Sequence, residues 1–112
     1  MTSLSAGDIV WVNFEPVRGS EQGGARPAIV LTSEAFHAAS NKAIVCPITS
    51  NPIPWPTKVP LPAGMKTQGY VLADQIRTLH RSDRGFRFIE HAPDEVPADV
   101  RAVVGAILGI RA

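Results

Sequence analysis

The 112-residue chain contains one cysteine, Cys46. A lone thiol excludes an internal disulfide and any cysteine-rich zinc site. Long apolar runs are missing as well, since the longest span a handful of residues, against roughly 18–20 for a bilayer span. No basic-then-apolar leader precedes Gly7, so no secretion signal and no membrane association are expected, and the expected address is cytoplasmic. Carboxylates are scattered singly apart from Asp94-Glu95, which suits a helix N-terminus or a solvated turn. The clustered acids of a metal-dependent hydrolase are therefore lacking. His37, His80 and His91 show no His-x-x-x-His spacing, so each is expected at the surface or a strand end. No metal and no cofactor is expected.

Hydrophobic residues make up 45% of the chain and charged ones 19%, a balance that folds rather than stays disordered. The length fits one domain over residues 1–112, large enough to bury roughly two-thirds of its unfolded surface without staples. Net charge is only +1, but it is unevenly placed. Residues 42 to 91 hold seven Lys and Arg against Asp74, Asp83 and Glu90, a local excess of +4. A basic middle between acidic flanks permits a polyanion-facing surface, and is equally compatible with a solvated sheet face.

Nine glycines and ten prolines break the chain into short elements and favour β structure. Asp8 to Phe14 alternates large apolar residues and reads as a strand; residues 15 to 25 form a loop. Arg26 to Thr32 is a second, nearly continuous apolar strand. Ser33 caps a short helix, Glu34 to Ala39, and Lys42 to Ile48 is a third strand. Prolines 52, 54, 56 and 60 allow only an edge strand around Thr57 to Leu61. Gly69 to Ala73 and Gln75 to Leu79 read as strands meeting near Asp74, or as one bent strand. Phe86 to His91 is the last strand, with Phe86, Phe88 and Glu90 placed on one face. Val96, Val100, Val103, Val104, Ile107 and Leu108 then recur with helical spacing, with Pro97 in the first turn and Gly109 as a stop. The expected fold is mainly β, a small barrel of five to seven short strands with a short helix after strand 2 and a C-terminal amphipathic helix. Trp11 and Cys46 are expected in its core.

The most informative segment is Gly19-Ser-Glu-Gln-Gly-Gly-Ala-Arg-Pro27. Adjacent glycines let a ligand approach the main chain, and a carboxylate, an amide, a hydroxyl and a guanidinium stand close together. By residue type alone this is an anion-binding loop or a surface loop without a task.

Following Gly7-Asp-Ile-Val-Trp-Val, this segment closely resembles the signature of the MazF/PemK family of toxins, the mRNA interferases. Pro47-Ile-Thr-Ser50 is similar to the family's Pro-x-Thr-Ser/Thr segment, and Leu72-Ala-Asp-Gln-Ile-Arg-Thr-Leu79 to the strand after its central loop. The three motifs fall in the family's order and cover nearly the whole chain. The resemblance implies an SH3-like barrel, a homodimer, and metal-independent, sequence-specific cleavage of single-stranded RNA. It also implies a cognate antitoxin protein, and no DNA binding by the toxin alone.

Carried over by motif, Arg26 and Thr49 match catalytic positions, and Glu21 matches a loop acid proposed as a base. The resemblance further implies RNA contacts at Ser20, Gln22, Gly23, Gly24, Ser50, Trp55, Lys58, Lys66, Gln75 and Arg77. Leu72 and Ser20 stand where the PemK-like branch has an arginine and a histidine. Asp74 is therefore read as holding strand or dimer geometry. Lys58, Lys66, Arg77, Arg81 and Arg84 are candidate phosphate contacts, and Trp55 suits base stacking or packing within its loop. Arg26 can donate two fixed bonds to a phosphate. Its pKa, above about 12, suits charge stabilisation better than proton donation. Two other readings remain: a non-enzymatic toxin of the same fold that poisons DNA gyrase, against which Glu21 to Pro27 and Ile48-Thr-Ser50 argue because gyrase poisoning needs no phosphate-facing arginine, and a catalytically silent binding module.

Overall fold

A computed structural model describes residues 3–14 and 24–110. Its elements in chain order are β1 (Asp8–Asn13), β2 (Ala25–Val30), α1 (Glu34–Ala39), β3 (Lys42–Thr49), β4 (Lys58–Pro60), β5 (Tyr70–Leu72), β6 (Arg77–His80), β7 (Arg87–His91) and α2 (Glu95–Leu108). The sheet runs β4-β5-β3-β2-β1-β7, with β6 also paired to β3, and every pairing is antiparallel. The expected mainly β architecture is met, as is the edge position of the proline-flanked β4.

The longest strand, β3, organises the curl. Val45 to Pro47 pairs with β2, while the opposite edge meets β6 over Lys42–Val45 and then β5 over Ile48–Thr49. Pro47 carries no N–H, so it stands where the ladder on that edge changes partner. Distributing one strand among three neighbours in this way curls the sheet, consistent with a small SH3-like barrel.

Strand alternation divides the core in two. Ile9, Ile29, Leu31, Cys46 and Ile48 meet Val96, Val100 and Val104 of α2. Val10, Val12, Phe14, Ala28, Val30, Val45 and Leu79 face the other way, where Leu4 and Phe86 pack on them. Ser33 caps α1 by accepting the Phe36 N–H at 3.2 Å. Gly109 ends α2 at φ +77°, donating to the Ala106 carbonyl at 3.2 Å while Ile110 N–H reaches the Gly105 carbonyl, a left-handed cap of the kind glycine favours.

Several expectations are corrected. Trp11, opposite Pro27 and Arg87, is 38% exposed rather than core. Ile107 and Leu108 share the helical spacing but are 48% and 61% exposed, because that spacing sets the face a side chain takes and not whether the face is covered. Ala73 and Asp74 form a turn between two separate strands, β5 and β6. Along β7 the register shifts, so that Ile9 faces Glu90 while Val10 faces Phe88, and this bulge takes Glu90 off the Phe88 face. His37 is buried, not superficial. Its Nδ1 lies 2.8 Å from the Leu4 carbonyl and must donate there. In the neutral ring Nε2 then accepts the Thr32 hydroxyl at 2.6 Å, while Thr32 Oγ1 accepts the Ile44 N–H.

Candidate active site

The C-terminal end of β1, the start of β2, the second half of β3 and the start of β6 meet at one end of the sheet. Register explains the meeting. Val12 faces Arg26, Ala28 faces Pro47, and Val45 faces both Val30 and Arg77. Residues two apart share a face, so Phe14, Arg26, Pro47 and Arg77 project on the side of the Val12–Val30–Val45 core. There Phe14, Gly24, Arg26, Pro47, Gln75 and Arg77 line a cleft of about 170 Å³. Thr49 lies two residues beyond Pro47 on this face, and continuing the β2–β3 register by two residues aligns it with Arg26.

The cleft's second guanidinium is anchored rather than loose. Arg77 Nη1 donates to the Phe14 carbonyl at 3.1 Å, and its guanidinium carbon stands 5.4 Å from the Phe14 ring centre. Arg84 Nη1 donates to the same carbonyl at 3.0 Å, while Asn13 N–H donates to the Arg84 carbonyl at 2.9 Å. One carbonyl thus accepts from two cations at the point where the chain leaves β1. A guanidinium has five donors, so Arg77 keeps others for a ligand. Among the described residues, no Asp or Glu forms an ion pair with Arg26, Arg77 or Arg84.

Thr49 is half-buried, and its Oγ1 accepts the Asn51 N–H at 3.2 Å, which leaves the hydroxyl proton free to donate outward. Behind it stands Gly69, whose φ is +123° and where a Cβ would fall 2.2 Å from the Thr49 carbonyl oxygen. Only a glycine permits this approach. Beyond Thr49, Ser50 and the proline-rich loop are exposed, with Ile53 at 65% and Trp55 at 63%. Lys58 Nζ donates to the Asn51 carbonyl at 2.9 Å and the Ile53 carbonyl at 2.6 Å. Lys66 is exposed on a separate loop. Glu90 holds that loop by accepting the Lys66 and Thr67 N–H groups at 3.1 and 2.7 Å. Burial pushes the Glu90 carboxyl up, but the Thr67 hydroxyl and these two N–H groups outweigh it and hold its pKa below the usual carboxylate value.

Gly24, Arg26, Gln75 and Arg77 are therefore brought to one cleft, Thr49 and Ser50 to the strand end beside it, and Trp55 and Lys58 to the adjoining loop. Glu21, Ser20, Gln22 and Gly23 lie outside the described residues. Arg81 is committed elsewhere, since its Nη2 donates to the carbonyls of His37 and Ser40. Phe14 and Gly69 contribute without having been singled out by sequence. Gly69 could have been suspected as a glycine opening a strand; no local signal marks the Phe14 carbonyl. Asp74 is exposed in its turn. Among the described residues no group of three His, Cys, Asp or Glu is placed to hold a metal. Cys46 is buried and its thiol is pushed up to about 12, first by burial and then by Asp74, so it is no nucleophile.

A second polar cluster sits at the opposite end of β1. Asp8, 5% exposed, accepts from Ser5 N–H at 2.9 Å and from His91 Nδ1 at 2.7 Å. The hydrogen bond that His91 donates to Asp8 raises the His91 pKa against an opposing burial effect, and Asp94 at 3.6 Å adds to the rise.

Fold and cleft together define a small antiparallel β-barrel protein with an open cleft that carries two arginines. The chain belongs to the PemK-like, MazF-like toxins of type II toxin–antitoxin systems, whose family model matches residues 5–108. It is 33% identical to the endoribonuclease toxin MazF of Escherichia coli K12 over 92% of each chain. It is 36% identical to the endoribonuclease EndoA of Bacillus subtilis over 83% of this chain and 84% of that one. Among solved structures, Deinococcus radiodurans MazF superposes with a TM-score of 0.87 at 40% identity, covering 98% of this chain and all of the other. MazF from a MazE–MazF crystal of the same organism gives 0.89 at 40% identity, covering 99% and 100%. The family expected from three motifs is thereby borne out.

Proposed function

We propose that this chain is the endoribonuclease toxin of a type II pair, cutting single-stranded RNA at preferred sequences without a metal. Ribonuclease activity rests on family membership and on relatives named as endoribonucleases. The observation that carries the finer reading is the convergence of Arg26 and Arg77 on one open cleft, beside the strand end that presents Thr49. RNA supplies its own nucleophile, the 2′-OH next to the scissile phosphate. The protein must take that proton, stabilise charge growing on the phosphoryl oxygens, and let the 5′-oxygen leave protonated. Arg26 suits the charge through two fixed donors, with the Thr49 hydroxyl donating to the same oxygens. Glu21 is assigned the base role on the motif. Gly24, Gln75 and Arg77 would seat the flanking backbone, and Ser50 and Trp55 the neighbouring nucleotides.

The products are then a 2′,3′-cyclic phosphate and a 5′-OH end. Incubation with a long RNA in excess chelator, with both ends mapped, tests this. Products with 5′-phosphates, or a strict magnesium requirement, would overturn it. Inhibition of DNA gyrase with intact RNA would favour the rival reading of a gyrase poison.

Two partners belong to the proposal. A cognate antitoxin is supported by the MazE–MazF complexes of the Deinococcus relative; it would act where RNA and toxin meet, in the cytoplasm. A homodimer is supported by Ile107, Leu108 and Ile110, 48–64% exposed, the last two lining an apolar hollow of about 290 Å³ with Leu31, Ile44 and Ile76. Obligate interfaces are apolar in this way. Light scattering should return about twice the 12.0 kDa chain mass.

A further inference from the structure

We propose that Lys58 is a positioning residue for Thr49 rather than a phosphate contact, acting through the backbone of the loop that follows β3. Asn51 and Ile53 each precede a proline, which biases them to extended backbone. The prolines themselves supply no N–H, so the loop has few donors for its own carbonyls. Lys58, the first residue of β4, supplies them with Nζ, at 2.9 Å to Asn51 and 2.6 Å to Ile53. The same ammonium stands 5.5 Å from the centre of the Tyr70 ring, and Tyr70 pairs with Thr49 across β5 and β3.

The Asn51 residue held in this way then acts on Thr49. Its N–H donates to Thr49 Oγ1 at 3.2 Å, and its Oδ1 accepts the Ile53 N–H at 2.9 Å. With one lone pair of the hydroxyl occupied by a fixed N–H, the O–H bond is directed away from the loop, toward a phosphate oxygen aligned with Arg26. Two of the three ammonium donors are thereby committed, and Lys58 is half-buried, which makes it a poor landing point for a phosphate. Trp55 rides on the same stapled segment, and Lys58 N–H donates to the Trp55 carbonyl at 3.0 Å.

The proposal rests on the ribonuclease reading of the cleft, and two readouts separate its failure from failure of that reading. Lys58→Met keeps an unbranched side chain of similar length and removes the donors. Its kcat on a single-site RNA should fall about tenfold, the scale of losing charge-assisted bonds that align a reacting group, with the salt dependence of binding unchanged. Lys58→Arg should recover most of the rate. In a Trp11→Phe background, fluorescence anisotropy of Trp55 should show faster local motion in Lys58→Met. An unchanged kcat or an unchanged Trp55 anisotropy overturns the proposal. So does a raised KM with a salt slope shallower by about one, the mark of a lost phosphate contact; that result leaves the ribonuclease reading standing. A wild-type chain that leaves RNA intact removes both.

Discussion

The two ends of β1 carry charge in opposite ways. At its start, Asp8 is buried and its carboxylate is used up by Ser5 N–H and the His91 ring. At its end, the Phe14 carbonyl steadies Arg77 and Arg84, while Arg26 and Arg77 line an open cleft. The first cluster is closed on itself and ties the N-terminal segment, β1, β7 and the start of α2 together. The second leaves positive charge facing solvent, where an anion can meet it. A polar cluster whose acceptors and donors are met within the molecule is structural, and one left open is a candidate site.

The largest test of that contrast is Arg26→Ala. Losing a preorganised donor typically costs about 100- to 1,000-fold in rate, so RNA cleavage should drop by that factor while circular dichroism and thermal unfolding stay unchanged. Thr49→Ala should fall in the same range. Normal turnover by Arg26→Ala would erase the distinction between the two ends.

Asp8→Ala should do the reverse. It strips partners from buried groups, each bond to a charged group being worth about 1.5–3 kcal/mol. Urea unfolding should register a loss of about that size, with residual folded protein cutting RNA at a near-normal rate per folded molecule. Gly69→Ala sharpens the cleft end without touching a charge. Its Cβ would overlap the Thr49 carbonyl at φ +123°, and strain of this kind costs about 1–3 kcal/mol. Both stability and kcat should fall, with KM little altered.

The smallest effect is the pH dependence of the closed cluster. His91 is raised above its ordinary 6.5 by Asp8, so its contribution is complete below pH 6.5 and fades as pH rises through the raised value. Because the side chain is 46% exposed, screening limits this to less than about 1 kcal/mol. Stability curves of wild type and His91→Gln should converge at high pH and separate on the acid side.

The local signals in this chain were reliable where a residue's environment is set by near neighbours. Ser33 and Gly109 marked helix ends, and prolines at 52, 54, 56 and 60 confined β4 to an edge. They failed for Trp11, His37 and Leu108, because alternation and helical spacing say which face a side chain takes and not whether that face is covered. The motifs located Arg26, Thr49 and Gln75, yet Lys58 and Lys66 looked alike in sequence. One turned inward to two carbonyls, the other stayed in solvent.

By itself, then, the sequence determined the mainly β class, the short elements and the family, and singled out Arg26 and Thr49 as candidates, since these depend on residue type, spacing and chain-local sterics. Only the tertiary structure decided that β3 serves three neighbours, that the Phe14 carbonyl holds two guanidiniums from 63 and 70 residues away, and that Gly69 sits against Thr49. Those are meetings of distant backbone, settled by register and by which donors remain unpaired once the sheet has closed, and no window of sequence contains both partners.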